Sequence, residues 1–412
     1  MESSAAIELA KHVLSTFAII LAFGSVFGLL AQKFKVPDVA VFLLLGMALG
    51  PEVGGLVHIE AGSALNQIIL IFGASYILFD GGASLRLKVL KEVWITIVIL
   101  ATVGVLITAS ITAVAAYYVF SLPFVVALLL AMAIASTDPA TLVPVFRQVR
   151  IKDRVAQTVM SESAFNDATG AIGTFAVLGI AMGTGGEFSL GGALLDLLKQ
   201  AGIGFLAGGI LGYLAALLIA HEKFGFFRNN TPVVTLMAVI GAYLGADGFQ
   251  ASGFMAVFVF GIMLGNKDAF GFTMEPAEQE KMEDFVATTA FIMRMFIFIL
   301  LGAQVDFSLM NKYLVGGVVV VAVFMLVARP VTVVLCALPD RRSKWSFKEM
   351  LFMSWTRETG VIPGALAGLL MGMGAPEAKL IASVTFLAIL MTILIQATTT
   401  KWLAGRLGLL VE

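Results

Sequence analysis

The chain has 412 residues, of which 59% are hydrophobic and 13% charged, about half the charged share of a globular protein, so it reads as a membrane protein. Twenty-six basic and 27 acidic residues leave a net charge of -1, which speaks against a basic surface for nucleic acid. One cysteine, Cys336, and three scattered histidines (His12, His58, His221) speak against an internal disulfide, a thiolate cluster and a zinc site.

The first apolar stretch, 13–32, follows the acidic Glu2 and Glu8 rather than a basic leader, and reads as a retained helix. Hydropathy then predicts spans at 36–50, 64–80, 94–119, 123–146, 154–183, 192–220, 231–246, 252–265, 284–302, 314–338, 348–372 and 379–403, an all-α protein of 13 transmembrane helices. Gly, Pro, Asn and charge separate them, as at Gly183 to Gly186. Loop Lys and Arg fall almost entirely on connections after odd-numbered spans; Lys11, Lys312 and Lys379 are the exceptions. By the positive-inside rule the N-terminus is outside and the C-terminus cytoplasmic.

Span 5 holds Ser136-Thr137-Asp138-Pro139, where the proline removes a donor and drives Asp138 out of the helical region. Span 12 holds Thr356-Arg357-Glu358-Thr359-Gly360 and then Pro363, so both helices should be discontinuous. An offset of seven spans inverts one relative to the other, which predicts two inverted six-helix repeats, spans 1–6 and 8–13, joined by span 7. Paired broken helices mark the binding site of a secondary transporter. Glycines at four-residue spacing (Gly204, Gly208, Gly212; Gly360, Gly364, Gly368, Gly372) suggest close helix packing.

Ionisable residues within or ending the spans are Asp80, Asp138, Glu162, Asp167, Arg294, Arg329, Arg357 and Glu358. Each would cost roughly 2.5–3.5 kcal/mol at mid-membrane, and the excess of acids favours a cation as cargo. On span 6, Glu162 and Asn166 are one turn apart, as are Ser163 and Asp167. With Thr137 and Asp138 they supply hard oxygen ligands suited to a small cation. A buried carboxylate can take a proton instead, so one site holds either ion but not both. Blander roles compete: Asp138 as a helix cap, Asn166 and Asp167 as a structural pair, Asp80 as an interfacial residue, Arg294 snorkelling, and Arg329 and Arg357 balancing Glu162 and half-helix ends.

Ser136-Thr137-Asp138-Pro139 followed by Glu162-Ser163-Ala164-Phe165-Asn166-Asp167 resembles the monovalent cation/proton antiporters of the sodium/proton exchanger type, in particular the prokaryotic NhaP-like members. The resemblance implies a secondary transporter, not an enzyme, without cofactor, exchanging Na+ or Li+ for H+ in a multi-pass cell-membrane protein. It implies that Asp167 binds proton and sodium in turn, with Thr137, Glu162 and Ser163 around the ion and Asp138 at the crossing of the broken helices. Arg329 falls where relatives carry a basic residue, and Arg357 at the arginine of their Gly-Leu-Arg-Gly segment, where Glu358 departs from the pattern. Asn166 beside Asp167 implies one-for-one, electroneutral exchange. The resemblance also implies a homodimer, with residues 1–91 and 187–310 as interface domain and 92–186 and 311–412 as moving core. A potassium/proton antiporter of the same fold and a cation channel are the alternatives. No Gly-x-x-x-x-Gly-Lys-Ser/Thr or His-Glu-x-x-His motif supports ATP-driven pumping or intramembrane hydrolysis.

Overall fold

The computed structural model describes residues 2–34, 36–60, 62–138, 142, 145–146, 149–183, 190–220 and 225–411; Pro139, Gly186 and His221 lie outside them. Among the described residues nine helices are long and apolar enough to cross a bilayer. They are α1 (Glu2–Phe34), α3 (Ala64–Ala83), α4 (Leu87–Phe120), α6 (Asp153–Ala181), α7 (Leu190–Ala220), α8 (Thr231–Gly248), α10 (Pro276–Ala303), α11 (Phe307–Ala337) and α14 (Ala378–Leu407). Four more are apolar but short: α2 (Asp38–Leu49), α5 (Phe124–Ala135), α9 (Gly253–Gly265) and α13 (Val361–Gly372), the last preceded by α12 (Phe347–Trp355). No strand occurs among the described residues, only an isolated bridge between Ile151 and Leu410.

Helix starts follow local chemistry. The hydroxyls of Ser63 and Ser252 accept from the backbone of Asn66 and Met255, and Asp306 accepts from Leu309, capping α3, α9 and α11. Ser346 and Glu349 form a reciprocal box at the start of α12. Between α4 and α5 the chain turns at Ser121, in left-handed conformation, ahead of Pro123.

Small residues let some helices approach backbone to backbone. A Cβ added at Gly208 of α7 would strike Ala256 of α9, and one at Gly204 would lie 2.8 Å from the Ser252 carbonyl. Gly261 and Gly265 bring the other side of α9 against α3, and Gly46 and Gly302 join α2 to α10. The first of the two expected glycine seams is therefore a packing seam. The second is not: Gly368 and Gly372 have no neighbour within 4 Å, Gly364 faces only the tips of side chains, and Gly360 serves a different purpose.

Arg294, expected to snorkel, is instead held by an acid that the sequence does not mark out, Asp38. In the structure Arg294 of α10 pairs with Asp38 at the start of α2, 3.4 Å apart and both largely buried, while its guanidinium lies 5.5 Å from the centre of the Phe291 ring. Burying either charge alone would be costly, so the pair joins α10 to α2.

Among the described residues three helices carry a π-helical turn: α4 at Leu100–Gly104, α11 at Phe324–Ala328 and α14 at Thr392–Ala397. In α11 the turn sits immediately before Arg329-Pro330, where the proline withholds one backbone donor. The Ala101 carbonyl accepts from Thr169 of α6 at 2.7 Å, and the Thr392 hydroxyl accepts from the Thr359 backbone at 3.0 Å. The widened turn of α14 thus lies against the interruption between α12 and α13, and that of α4 against α6.

Candidate ion site at the crossed helices

Two non-helical segments meet in the middle of the helical mass. Helix α5 stops at Ala135, and residues 136–138 run on without helix; α12 stops at Trp355, and 356–360 are likewise non-helical before α13 begins. The Asp138 backbone N–H donates to the Glu358 carbonyl at 2.8 Å, fastening one break to the other. The ends then exchange caps. The Asp138 carboxylate accepts from the Val361 N–H at 2.9 Å, at the positive end of α13, while the Arg357 guanidinium donates to the Ala135 carbonyl, at the negative end of α5. Arg357 also stacks 4.5 Å from the centre of the Phe324 ring. A Cβ at Gly360 would run into the Asp138 carboxyl group. The position is glycine for space, because Asp138 occupies what a side chain would fill.

Helix α6 passes the crossing. Asn166 holds Thr137 twice, accepting from its backbone N–H at 3.0 Å and donating to its hydroxyl at 2.8 Å. Gly170, one turn further, lets α6 close on Ser136, where a Cβ would come within 2.9 Å. Glu162 meets Arg329 of α11 in a two-pronged pair of 2.5 and 2.7 Å, and Arg329 also donates to the Met353 carbonyl of α12 at 3.1 Å. Both side chains are almost inaccessible, at 2% for Glu162 and 1% for Arg329. Both Glu162 oxygens are therefore committed to the arginine in this arrangement.

Asp167 stands apart. It is 2% exposed, lies beside Ser136 and within electrostatic reach of Asp138, yet neither carboxylate oxygen has a hydrogen-bond partner among the described residues. The hydroxyls of Ser136, Ser161 and Ser163 are likewise buried without a partner there. Asp167 also lines a cavity of about 380 Å³ together with Ala171 and Phe175 of α6, Val361 and Leu369 of α13, and Asp247 of α8. The cavity opens on the face where α3 and α7 begin and where α6, α8 and α13 end.

The structure thus brings Thr137, Asp138, Glu162, Ser163, Asn166, Asp167, Arg329, Arg357 and Glu358 to one crossing. Glu358 is fully buried with both side-chain oxygens unpartnered among the described residues, but it does not line the cavity. Asp80 is elsewhere: it ends α3 in a separate cavity of about 410 Å³ with Lys267, Glu283 and Asp284. Sequence reasoning missed Lys267, which is 3% exposed and donates to Gln279 at 3.3 Å; a lone lysine beyond a span end carries no signal of burial. Asp247, one residue past the expected end of its span, is exposed and was likewise not singled out.

Residues 18–406 match the family model described as "Sodium/hydrogen exchanger, transmembrane". The Na(+)/H(+) antiporter 1 of Methanocaldococcus jannaschii is 34% identical over 355 residues, covering 84% of this chain and 80% of that protein. The K(+)/H(+) antiporter NhaP of Alkalimonas amylolytica is 29% identical over 391 residues, 91% of this chain and 64% of that longer protein. The solved structure of the sodium proton antiporter MjNhaP1 from Methanocaldococcus jannaschii at pH 8 is similar with a TM-score of 0.77 and 30% identity, covering 99% of both chains.

Proposed function

Because this chain belongs to the sodium/hydrogen exchanger family, and is accordingly a multi-pass membrane transporter and not an enzyme, we propose that it exchanges Na+ for H+ one for one, with Asp167 binding the two ions in turn. The observation that carries this reading is the bare, buried carboxylate at the floor of an open cavity. Of the other acids at the crossing, Glu162 faces Arg329 and Asp138 caps α13, while Glu358, also without a side-chain partner among the described residues, does not line the cavity. A sodium ion reaching Asp167 would exchange its water for the carboxylate and for oxygens of Thr137, Ser163 and the non-helical backbone near Asp138. In that crowded, largely dry space a proton and the ion compete for the same oxygens, so taking one releases the other. In this reading Glu162 is the counter-charge that keeps Arg329 buried.

Electroneutrality rests on Asn166. Its amide secures Thr137 without charge, so one carboxylate changes occupancy in each half-cycle. The nine long helices and four short apolar ones are read as thirteen crossings forming two inverted repeats. With the N-terminus outside, the Asp167 cavity faces outward. Residues 92–186 and 311–412 would form the core that carries Asp167 across, moving against 1–91 and 187–310 in a homodimer.

Proteoliposomes holding Asp167→Asn should lose sodium-driven proton flux entirely, while retaining the detergent-solubilised stability of the wild type. Continued exchange would remove the basis of the proposal, and wild-type flux that follows an imposed membrane potential would remove the one-for-one claim. Relatives that are K(+)/H(+) antiporters favour a second reading, potassium as the cargo. Oxygen ligands alone do not set cation size, and the same assay with sodium, lithium and potassium in turn separates the two.

A further inference from the structure

The cavity above Asp167 carries an acid at each end and neutral groups between. Asp167 forms the floor, at 2% exposure; Asp247, in the last turn of α8, is exposed at the mouth. The polar lining between them is uncharged: Gln67 of α3, Gln200 of α7, Tyr243 of α8 and the cap residue Ser252. The rest is apolar, from α3, α6, α13 and the start of α9. A cation entering this largely apolar cavity loses water before it meets Asp167. Among the described residues, Asp247 is the charged lining residue besides Asp167.

We infer that Asp247 is a cation-concentrating residue of the transport pathway, which raises the local sodium concentration at the mouth of the cavity without touching the bound ion. This rests on the exchange reading above. Clefts lined by one sign of charge focus the field and enrich counter-ions. An exposed charge at the entrance acts on ion arrival rather than on the step that moves the loaded site, so its effect belongs in the apparent KM for sodium and not in kcat. It is also screened: at physiological ionic strength the Debye length is about 8 Å, and an inert salt should weaken the effect. The influence is one-sided, because Asp247 lines the cavity on one face only.

The test uses the full chain in proteoliposomes, with sodium varied outside at low ionic strength. Asp247→Asn should raise the apparent KM for sodium by about two- to fivefold with kcat unchanged, and added choline chloride should close the gap. Asp247→Cys supplies its own control for folding, since one preparation is measured before and after modification; Cys336 is buried away from reagent. A membrane-impermeant sulfonatoethyl methanethiosulfonate, which restores a negative charge, should return KM toward wild type, and the trimethylammonium reagent should raise it further. An unchanged KM in Asp247→Asn, or the same direction of change with both reagents, overturns the inference. Asp167→Asn run alongside keeps the two claims apart: if it is inactive while Asp247→Asn matches wild type, only the role of Asp247 falls. If Asp167→Asn itself exchanges sodium for protons, the exchange reading falls first.

Discussion

The pair between Glu162 and Arg329 invites the most direct physical test. It consists of two charge-assisted contacts of 2.5 and 2.7 Å between side chains that are almost wholly inaccessible, with the guanidinium also fixed to the Met353 carbonyl. Glu162→Met leaves a buried guanidinium without its counter-charge, and Arg329→Met leaves a buried carboxylate. Each should cost about 3–5 kcal/mol, because removing one partner of a buried pair strands the other. The double substitution removes both charges and fills the space with apolar side chains of similar length. It should recover most of that loss, since buried pairs replaced by well-packed apolar groups are often neutral in stability. The assay is denaturant unfolding in detergent, followed through tryptophan fluorescence, for the four members of a double-mutant cycle. The expected coupling is about 5–9 kcal/mol, the two single losses together less what the double variant retains. Single effects that add to within about 0.5 kcal/mol would refute the reasoning, since the two charges would then act independently.

Gly360→Ala should be destabilising by about 2 kcal/mol or more and should slow transport, because the new methyl displaces Asp138 from the Val361 N–H, whereas Gly368→Ala on α13 has open space and should be neutral or mildly stabilising. Equal thermal midpoints for the two variants would contradict the packing described. In the loop between α11 and α12, burial alone would raise the pKa of Asp340, but the hydroxyls of Ser343 and Thr96 and the backbone N–H groups of Ser343 and Arg342 outweigh it and hold the pKa below the usual carboxylate range. A folded-state value below the unfolded one contributes stability that is complete above the unfolded pKa of about 3.9 and is lost as pH falls through the folded value. Asp340→Asn should therefore lower the unfolding midpoint near neutral pH by about 1–3 kcal/mol equivalent and flatten the acid limb of the stability profile; an unchanged acid limb would argue against this role.

Much of the architecture was legible in the chain because a bilayer imposes a simple rule. Backbone polar groups must be satisfied within the segment, so spans announce themselves as apolar runs and breaks announce themselves as Pro, Gly and charge. The interruptions at 136–138 and 356–360 were visible in this way, as was the grouping of Glu162, Asn166 and Asp167 on one helix. The short helices α2 and α9 were also found as apolar runs, although only their glycine contacts explain how closely they are held.

Partnership across the fold was legible only in part: Arg329 and Arg357 were expected to balance Glu162 and the half-helix ends, where they are found, but no local pattern paired Asp38 with Arg294 or said which arginine meets which group. The same holds for the π turns of α4 and α14, which carry no proline at the turn, and for the run from Gly360 to Gly372, whose regular spacing looks like a seam but faces open space over half its length. Hydropathy and residue type, being sums over neighbours along the chain, were enough to say that the protein is helical, lies in a membrane and holds acids where lipid would forbid them. Which acid is left bare beside a cavity, and which face that cavity opens on, depends on how distant segments cross, because a buried charge is defined by the partner that packing brings to it.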